Sequence, residues 1–293
     1  MLDDIAARVQ ADFTRARSRA FLNDIFSFLS GRPKRLLSYD QVKEKLHIGG
    51  PIYRGVRTVE IGRIVGSVNR YTDFDRAFLP THNRIANRWQ NIDRAFYEDI
   101  GLPPVVLYKV GDVYFVVDGH HRVSVARQQG QEFIEAEVRE CHVKVPVGAD
   151  LRPEDLEILG DRVEFLERTG LDRLRPDAAV AVTIPDGYSR ILEHIAVHRY
   201  FMGLDEKRDI TDDEAVSHWY DTVYLPILKV IRDREILSEF PGRTEGDLYI
   251  WVLDHQHFLH DQGQHLSPPE LAAEQYVRRL DGSFTYWVAR GGH

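Results

Sequence analysis

The chain has 293 residues, 43% of them hydrophobic, which suffices for a sizeable core in one large or two modest domains. Its formal charge of −8 gives no global basic field to draw it to DNA or to an anionic membrane, and the C-terminal half is the richer in acids. A single cysteine, Cys141, excludes an internal disulfide and suits a reducing compartment. No apolar run approaches the ~20 residues that cross a bilayer. The acidic start, Met-Leu-Asp-Asp, lacks the pattern of a secretory signal, so a cytoplasmic protein is expected.

In chain order, residues 3–30 form an amphipathic pattern through Ile5, Val9, Phe13, Ala16, Ala20 and Phe21, and Gly31 with Pro33 ends it. Its arginines, among them Arg8, Arg15, Arg17 and Arg19, read as a solvated face. A shorter helix is predicted over 36–46, then Gly49-Gly50-Pro51 breaks the chain. Val56 to Ile64 alternates as a strand, and Asp73 to Phe78 and Ile85 to Ile100 read as helical. Pro103 and Pro104 stand before the strand that runs to Val110. Gly111-Asp112 is a hairpin turn signal leading to the strand Val113–Val117. Glu135 to Val145 closes this part with alternating apolar positions.

Beyond about residue 150 the pattern is mainly helical. Residues 151–178 read as a charged, partly helical connection, followed by a short strand over Val180–Ile184. A helix is predicted from Tyr188 to Met202. Thr211-Asp-Asp-Glu214 is a capping box opening a long helix that Pro226 should kink. Further helices are expected over Glu245–His260 and from Pro268-Pro269-Glu270. The fold class is therefore α+β, in three stretches: a helical segment 1–48, an α+β domain 49–150 and a mainly helical domain 151–293.

The stretch Val113-Tyr-Phe-Val-Val-Asp-Gly-His-His-Arg122 carries the most chemistry. A buried strand ends, Asp118 and Gly119 turn the chain, and a helix opens on His-His-Arg. The first amides of a helix have no intrahelical acceptor, and with the positive end of the helix dipole they favour an anion. Gly119 keeps a Cβ away from such a ligand. Arg122 in the first turn is the leading phosphate-binding candidate. His120 and His121 can donate to phosphate or ribose, Ser124 either adds a hydroxyl or serves as a small helix-packing residue, and Asp118 can orient a histidine but is expected to cap the helix. Arg70, Asp73 and Asp75 form a second cluster, with Arg70 as a further phosphate contact and the two acids as a base or as holders of Mg²⁺ through water.

Around Asp118-Gly119-His120-His121-Arg122 the chain resembles the ParB/sulfiredoxin-like superfamily, which includes the ParB-like nuclease domain. Two further pieces stand in the expected order: Val59 to Arg70 with Asp73-Phe-Asp75, and Leu102-Pro-Pro-Val-Val-Leu107. Together they cover roughly residues 50–147. The resemblance implies a nucleotide ligand (ATP, ADP or CTP), with Mg²⁺ for an enzyme and a homodimer as an open option. Sulfiredoxin-like chemistry needs a cysteine where this chain has His120. Chromosome-partitioning members carry Gly-Glu-Arg-Arg at this turn and a helix-turn-helix afterwards, and neither is present in this pattern. The free-serine kinase branch shares Asp-Gly-His but needs a carboxylate base where this chain has Ser67, Val68, Asn69 and Arg70. The C-terminal half looks like the tail of bacterial ParB-like proteins, through Arg190 to Tyr200 and Pro241 to Tyr249.

Two function classes follow from these residues. One is a nucleotide-dependent phosphotransferase or hydrolase in which Asp73 or Asp75 is the base or metal ligand and His121 assists. The other is a non-enzymatic nucleotide-sensing or DNA-associated regulator, with direct DNA binding disfavoured by the acidic balance. His194 with His198 and Asp254 to His260 place histidines at helical spacing, but the spacing is not a metalloprotease motif and no metal site is assigned.

Overall fold

The computed structural model describes residues 2–30, 36–69 and 72–261. The chain forms two compact units, Met1–Gly160 and Asp161–His293.

The first unit is built on a six-stranded mixed sheet, as expected for an α+β chain. In chain order it contains α1 (Leu2–Ser30), β1 (Leu37–Ser38), α2 (Tyr39–Lys45), β2 (Ile52–Glu60), β3 (Ile64–Ser67) and α3 (Ala86–Tyr97). There follow β4 (Val105–Val110), β5 (Val113–Asp118), α4 (His120–Gln128) and β6 (Phe133–Cys141). The strand order is β1-β3-β5-β4-β6-β2. β3 runs parallel to β5, and β4 pairs antiparallel with β5 and parallel with β6. The β4–β5 hairpin turns at Gly111, whose φ of +57° suits the Gly-Asp order of that turn. β3 and β5 are thus central neighbours whose C-terminal ends lie side by side, and the chain leaves β5 directly into α4.

Alternation along the strands sorts the side chains between two faces. Leu107 and Val116 lie in one buried cluster with Phe13 and Ala16 of α1, Trp89 of α3 and Val123 of α4. Their sequence neighbours Tyr108 and Phe115 meet Tyr39 of α2 instead, at ring separations of 4.9 and 5.7 Å. Helices therefore cover both faces. Trp89 is fully buried and donates from Nε1 to Ser124 Oγ at 2.8 Å, joining α3 to α4.

Three sequence expectations change in this unit. The strand expected over Val56–Ile64 is divided: β2 ends at Glu60, and a turn at Ile61–Arg63 leads to β3. Arg127 of α4 secures that turn by donating to the carbonyls of Ile61 and Ile64, at 2.7 and 2.8 Å. Asp73 to Phe78 is a tight loop, not a helix. The Asp75 carboxylate accepts from the amides of Ala77 and Leu79, and a carboxylate that takes local amides competes with a helical ladder. The helix predicted over 36–46 begins as the short strand β1 before α2.

The helix α5 (Asp155–Thr169) begins in the first unit and ends in the second, which is helical. There α6 (Leu171–Leu174) is followed by α7 (Gly187–Glu206), α8 (Asp212–Trp219), α9 (Leu225–Asp233) and α10 (Glu245–Asp261). The predicted long helix with a kink at Pro226 is two helices separated by a π turn at Tyr220–Tyr224, with Pro226 in the first turn of α9, where no intrahelical acceptor is lost. The expected strand Val180–Ile184 is absent among the described residues. Asp247 takes the place of a strand partner, its carboxylate accepting from the amides of Thr183 and Ile184 and from the Thr183 hydroxyl. The core holds Trp219, Tyr224 and Tyr249, with Trp219 Nε1 donating to Tyr249 Oη at 2.8 Å. No helix among the described residues is long and apolar enough to cross a membrane. The helix expected from Pro268 lies outside the described residues.

Candidate functional site

The chain leaves β5 at Asp118, turns at Gly119 and enters α4 at His120, as the sequence suggests. Gly119 sits at φ +97°, and a Cβ there would lie 2.5 Å from Val105 Cγ1. The glycine is thus required by its backbone conformation and by β4, a reason different from the ligand clearance expected from sequence. No side chain caps α4. Its first turn instead lines a cavity of about 200 Å³ together with Asn69, Arg88, Ile92 and Val117.

The two histidines are buried. His120 turns toward β3, its Nε2 2.7 Å from Ser67 Oγ, and its ring stacks on Phe74 at 6.3 Å. The same Ser67 hydroxyl accepts from the Asn69 amide. His121 meets Phe74 edge-on at 5.4 Å. Phe74 is held by the loop that Asp75 closes, so one loop fixes both rings at the base of the cavity. The Ser67–His120 pair joins the ends of the parallel neighbours β3 and β5, a contact that becomes visible only with the strand order.

Arg122 lines the cavity and is also engaged within the chain. Its guanidinium donates to the carbonyls of Pro103 and Pro104 and to the Asp118 carboxylate, which ties the approach to β4 onto α4. Asp118 consequently pairs with Arg122 and does not cap the helix. Of the two roles open to Ser124, the structure shows the packing one: it accepts from Trp89 inside the core and does not line the cavity.

Arg88 was not among the sequence candidates. It projects from the exposed side of α3 into the lining of the same cavity, and no hydrogen bond or ion pair occupies it among the described residues. The sequence marks it only as one of several arginines between Arg54 and Arg94. Which of them faces α4 depends on how α3 packs, through Trp89 and Ser124.

The second predicted cluster does not assemble at the cavity. Asp73 is buried and paired with Arg84, while Asp75 accepts from Ala77, Leu79 and Asn23. Burial raises the Asp75 carboxyl above its ordinary range, against those hydrogen bonds. Burial also lowers Arg127 to about 10, with the Asp75 charge opposing that shift. Neither Asp73 nor Asp75 lines the cavity, where Asp118 is the one carboxylate among the described residues. Arg70 lies outside the described residues.

A second, more apolar cavity of about 490 Å³ adjoins the first and shares Ile92 and Arg122 with it. Phe96, Ile100, Leu102 and Phe133 line it, each at least one-third exposed.

The histidines of the second unit diverge. His194 packs edge-on against Tyr249, whereas His198 Nε2 lies 2.8 Å from His218 Nδ1 of α8. No group of three or more His, Cys, Asp or Glu side chains among the described residues could hold a metal. The side chains of His255, His257 and His260 lie outside those described.

No family model matches the chain, and no curated protein matches it. Among solved structures, it is similar to the C-terminally truncated chromosome-partitioning protein ParB from Caulobacter crescentus complexed with CTP-γ-S. That pairing has 13% identity and a TM-score of 0.23, and covers 76% of this chain and 99% of that one. A Pnob8-like ParB-N domain is 14% identical with a TM-score of 0.21, covering 70% of this chain and 90% of that one. TM-scores of this size leave the function to be argued from the turn and its cavity.

Proposed function

We propose that this chain is a nucleotide- or phosphate-binding protein of the ParB/sulfiredoxin-like kind, and that the ligand's phosphate lies at the start of α4. One observation carries the reading: an uncapped helix N-terminus and the unengaged guanidinium of Arg88 line the same small cavity. Helix-terminal amides and a free guanidinium are complementary to a tetrahedral oxyanion. His121 and Asn69 line the same space and can add donors. Arg122 then acts by positioning the turn. The adjoining apolar cavity offers room for the nucleoside, which favours a nucleotide over inorganic phosphate.

Binding without turnover is the better supported form of this reading. A phosphotransferase needs a base or metal-holding carboxylate beside the phosphate. The carboxylates proposed for that work, Asp73 and Asp75, are engaged away from the cavity, and Asp118, which does line it, is paired with Arg122.

The test is a thermal-shift screen of ATP, ADP, CTP, GTP and pyrophosphate, with and without Mg²⁺, followed by assay of any stabilising nucleotide for release of phosphate. Ligand at 100 times its Kd stabilises by roughly 2.7 kcal/mol. A shift with a nucleotide that persists unhydrolysed supports the proposal. Absence of a shift with every compound would remove it, and turnover would restore the enzyme reading.

A further inference from the structure

The strongest feature outside the cavity is an apolar stripe on α7. Val197, Tyr200, Phe201 and Leu204 are 56, 64, 58 and 55% exposed. They fall at i, i+3, i+4 and i+7, so they share one face of the helix. The opposite face is already used, with Tyr188, Ile191 and Ile195 buried. Such a run of large apolar side chains on one surface marks an interaction site more often than a solvated face. Tyr200 and Phe201 pack edge-to-face with ring centroids 5.5 Å apart, giving the stripe a preformed aromatic centre.

We infer that α7 pairs antiparallel with α7 of a second copy of this chain. The stripe is its own complement. A two-fold axis between Tyr200 and Phe201 sets Val197 opposite Leu204 of the second copy, and Tyr200 opposite Phe201. Charge supports the same register. Glu193 lies one turn before Val197 and Lys207 follows the helix end, both exposed and neither ion-paired among the described residues. Three neighbouring charges are already used within the chain: Arg199 binds Asp212, and Arg208 binds Glu206 as well as Glu214. Under the two-fold axis Glu193 approaches Lys207 of the second copy, and the pair occurs twice. A parallel arrangement would oppose like residues at each end. A seam of one helix pair is smaller than the ~1,200 Å² of stable interfaces, so the association depends on concentration.

Sedimentation velocity on the full chain, from about 1 to about 100 µM, tests this. The wild type is expected to shift from monomer to dimer across the range. Phe201→Glu is expected to stay monomeric with an unchanged melting temperature, because the side chain it replaces is exposed. Glu193→Lys should weaken the dimer roughly fivefold or more, and adding Lys207→Glu should restore it. A wild type that stays monomeric overturns the inference, as does a dimer that persists in Phe201→Glu. A Glu193→Lys variant that dimerises as the wild type does overturns the antiparallel register. A monomeric wild type destabilised by Phe201→Glu would mean that the chain itself covers the stripe.

Discussion

Two helix N-termini in this molecule solve the same electrostatic problem in opposite ways. At α8, Thr211 and Glu214 form a reciprocal cap: the Glu214 amide donates to Thr211 Oγ1 at 3.3 Å, and the Thr211 amide donates to Glu214 Oε2 at 3.0 Å. Arg208 closes over the same carboxylate. At α4 the cap position is a glycine, no side chain caps the helix, and the first turn opens onto a cavity with Arg88 at its edge. Both ends carry the same partial positive charge. One is neutralised by its own sequence, and the other carries no side-chain cap, which is the end that the proposed function gives to an external anion. An uncapped terminus costs stability, so its retention beside an unengaged arginine is what points to a ligand.

Substitutions can break or sharpen this contrast. The largest effect is expected at Gly119. Gly119→Ala combines a strained positive φ with the Val105 clash, and should cost about 2–4 kcal/mol in chemical denaturation. Arg122→Ala cuts the tie to Pro103 and Pro104 and should cost about 1–3 kcal/mol, with ligand affinity lowered only through the loosened turn. Equal stability in wild type and Arg122→Ala would return this arginine to the ligand-binding role read from sequence. Thr211→Ala removes the α8 cap and should cost about 1 kcal/mol without altering ligand binding, since that terminus serves only its own helix.

The smallest effect is a pH dependence. Arg208 and the Thr211 donors lower the Glu214 carboxyl to about 2 from its ordinary 4.5. Its folded-state value lies below its unfolded one, so the contribution is present above about pH 4.5 and is lost as pH falls toward 2. The group is exposed, so solvent screening keeps the effect small. Glu214→Gln should flatten the stability profile between those values, and an unchanged slope would refute the assignment.

Much of the frame was legible because it is local. The Gly111-Asp112 hairpin, the strand-glycine-helix turn at 113–122 and the Thr211–Glu214 box each depend on residues a few positions apart. What the sequence does not show depends on partners far along the chain. The Val180–Ile184 pattern suits a strand, but Asp247 supplies its hydrogen bonds. Arg122 has the chemistry of a phosphate ligand, but Pro103 and Pro104 present carbonyls to it. Arg88 carried no mark of its own, because its place at the cavity follows from the packing of Trp89 against Ser124.

The most direct test of the contrast is isothermal titration of pyrophosphate into wild type, Arg88→Ala and Thr211→Ala. Binding should weaken about 10- to 100-fold in Arg88→Ala, the loss of a charge-assisted contact, with stability held within about 0.5 kcal/mol. Thr211→Ala should bind as the wild type does. Equal affinity in wild type and Arg88→Ala, or no binding by wild type, would contradict an anion site at the start of α4.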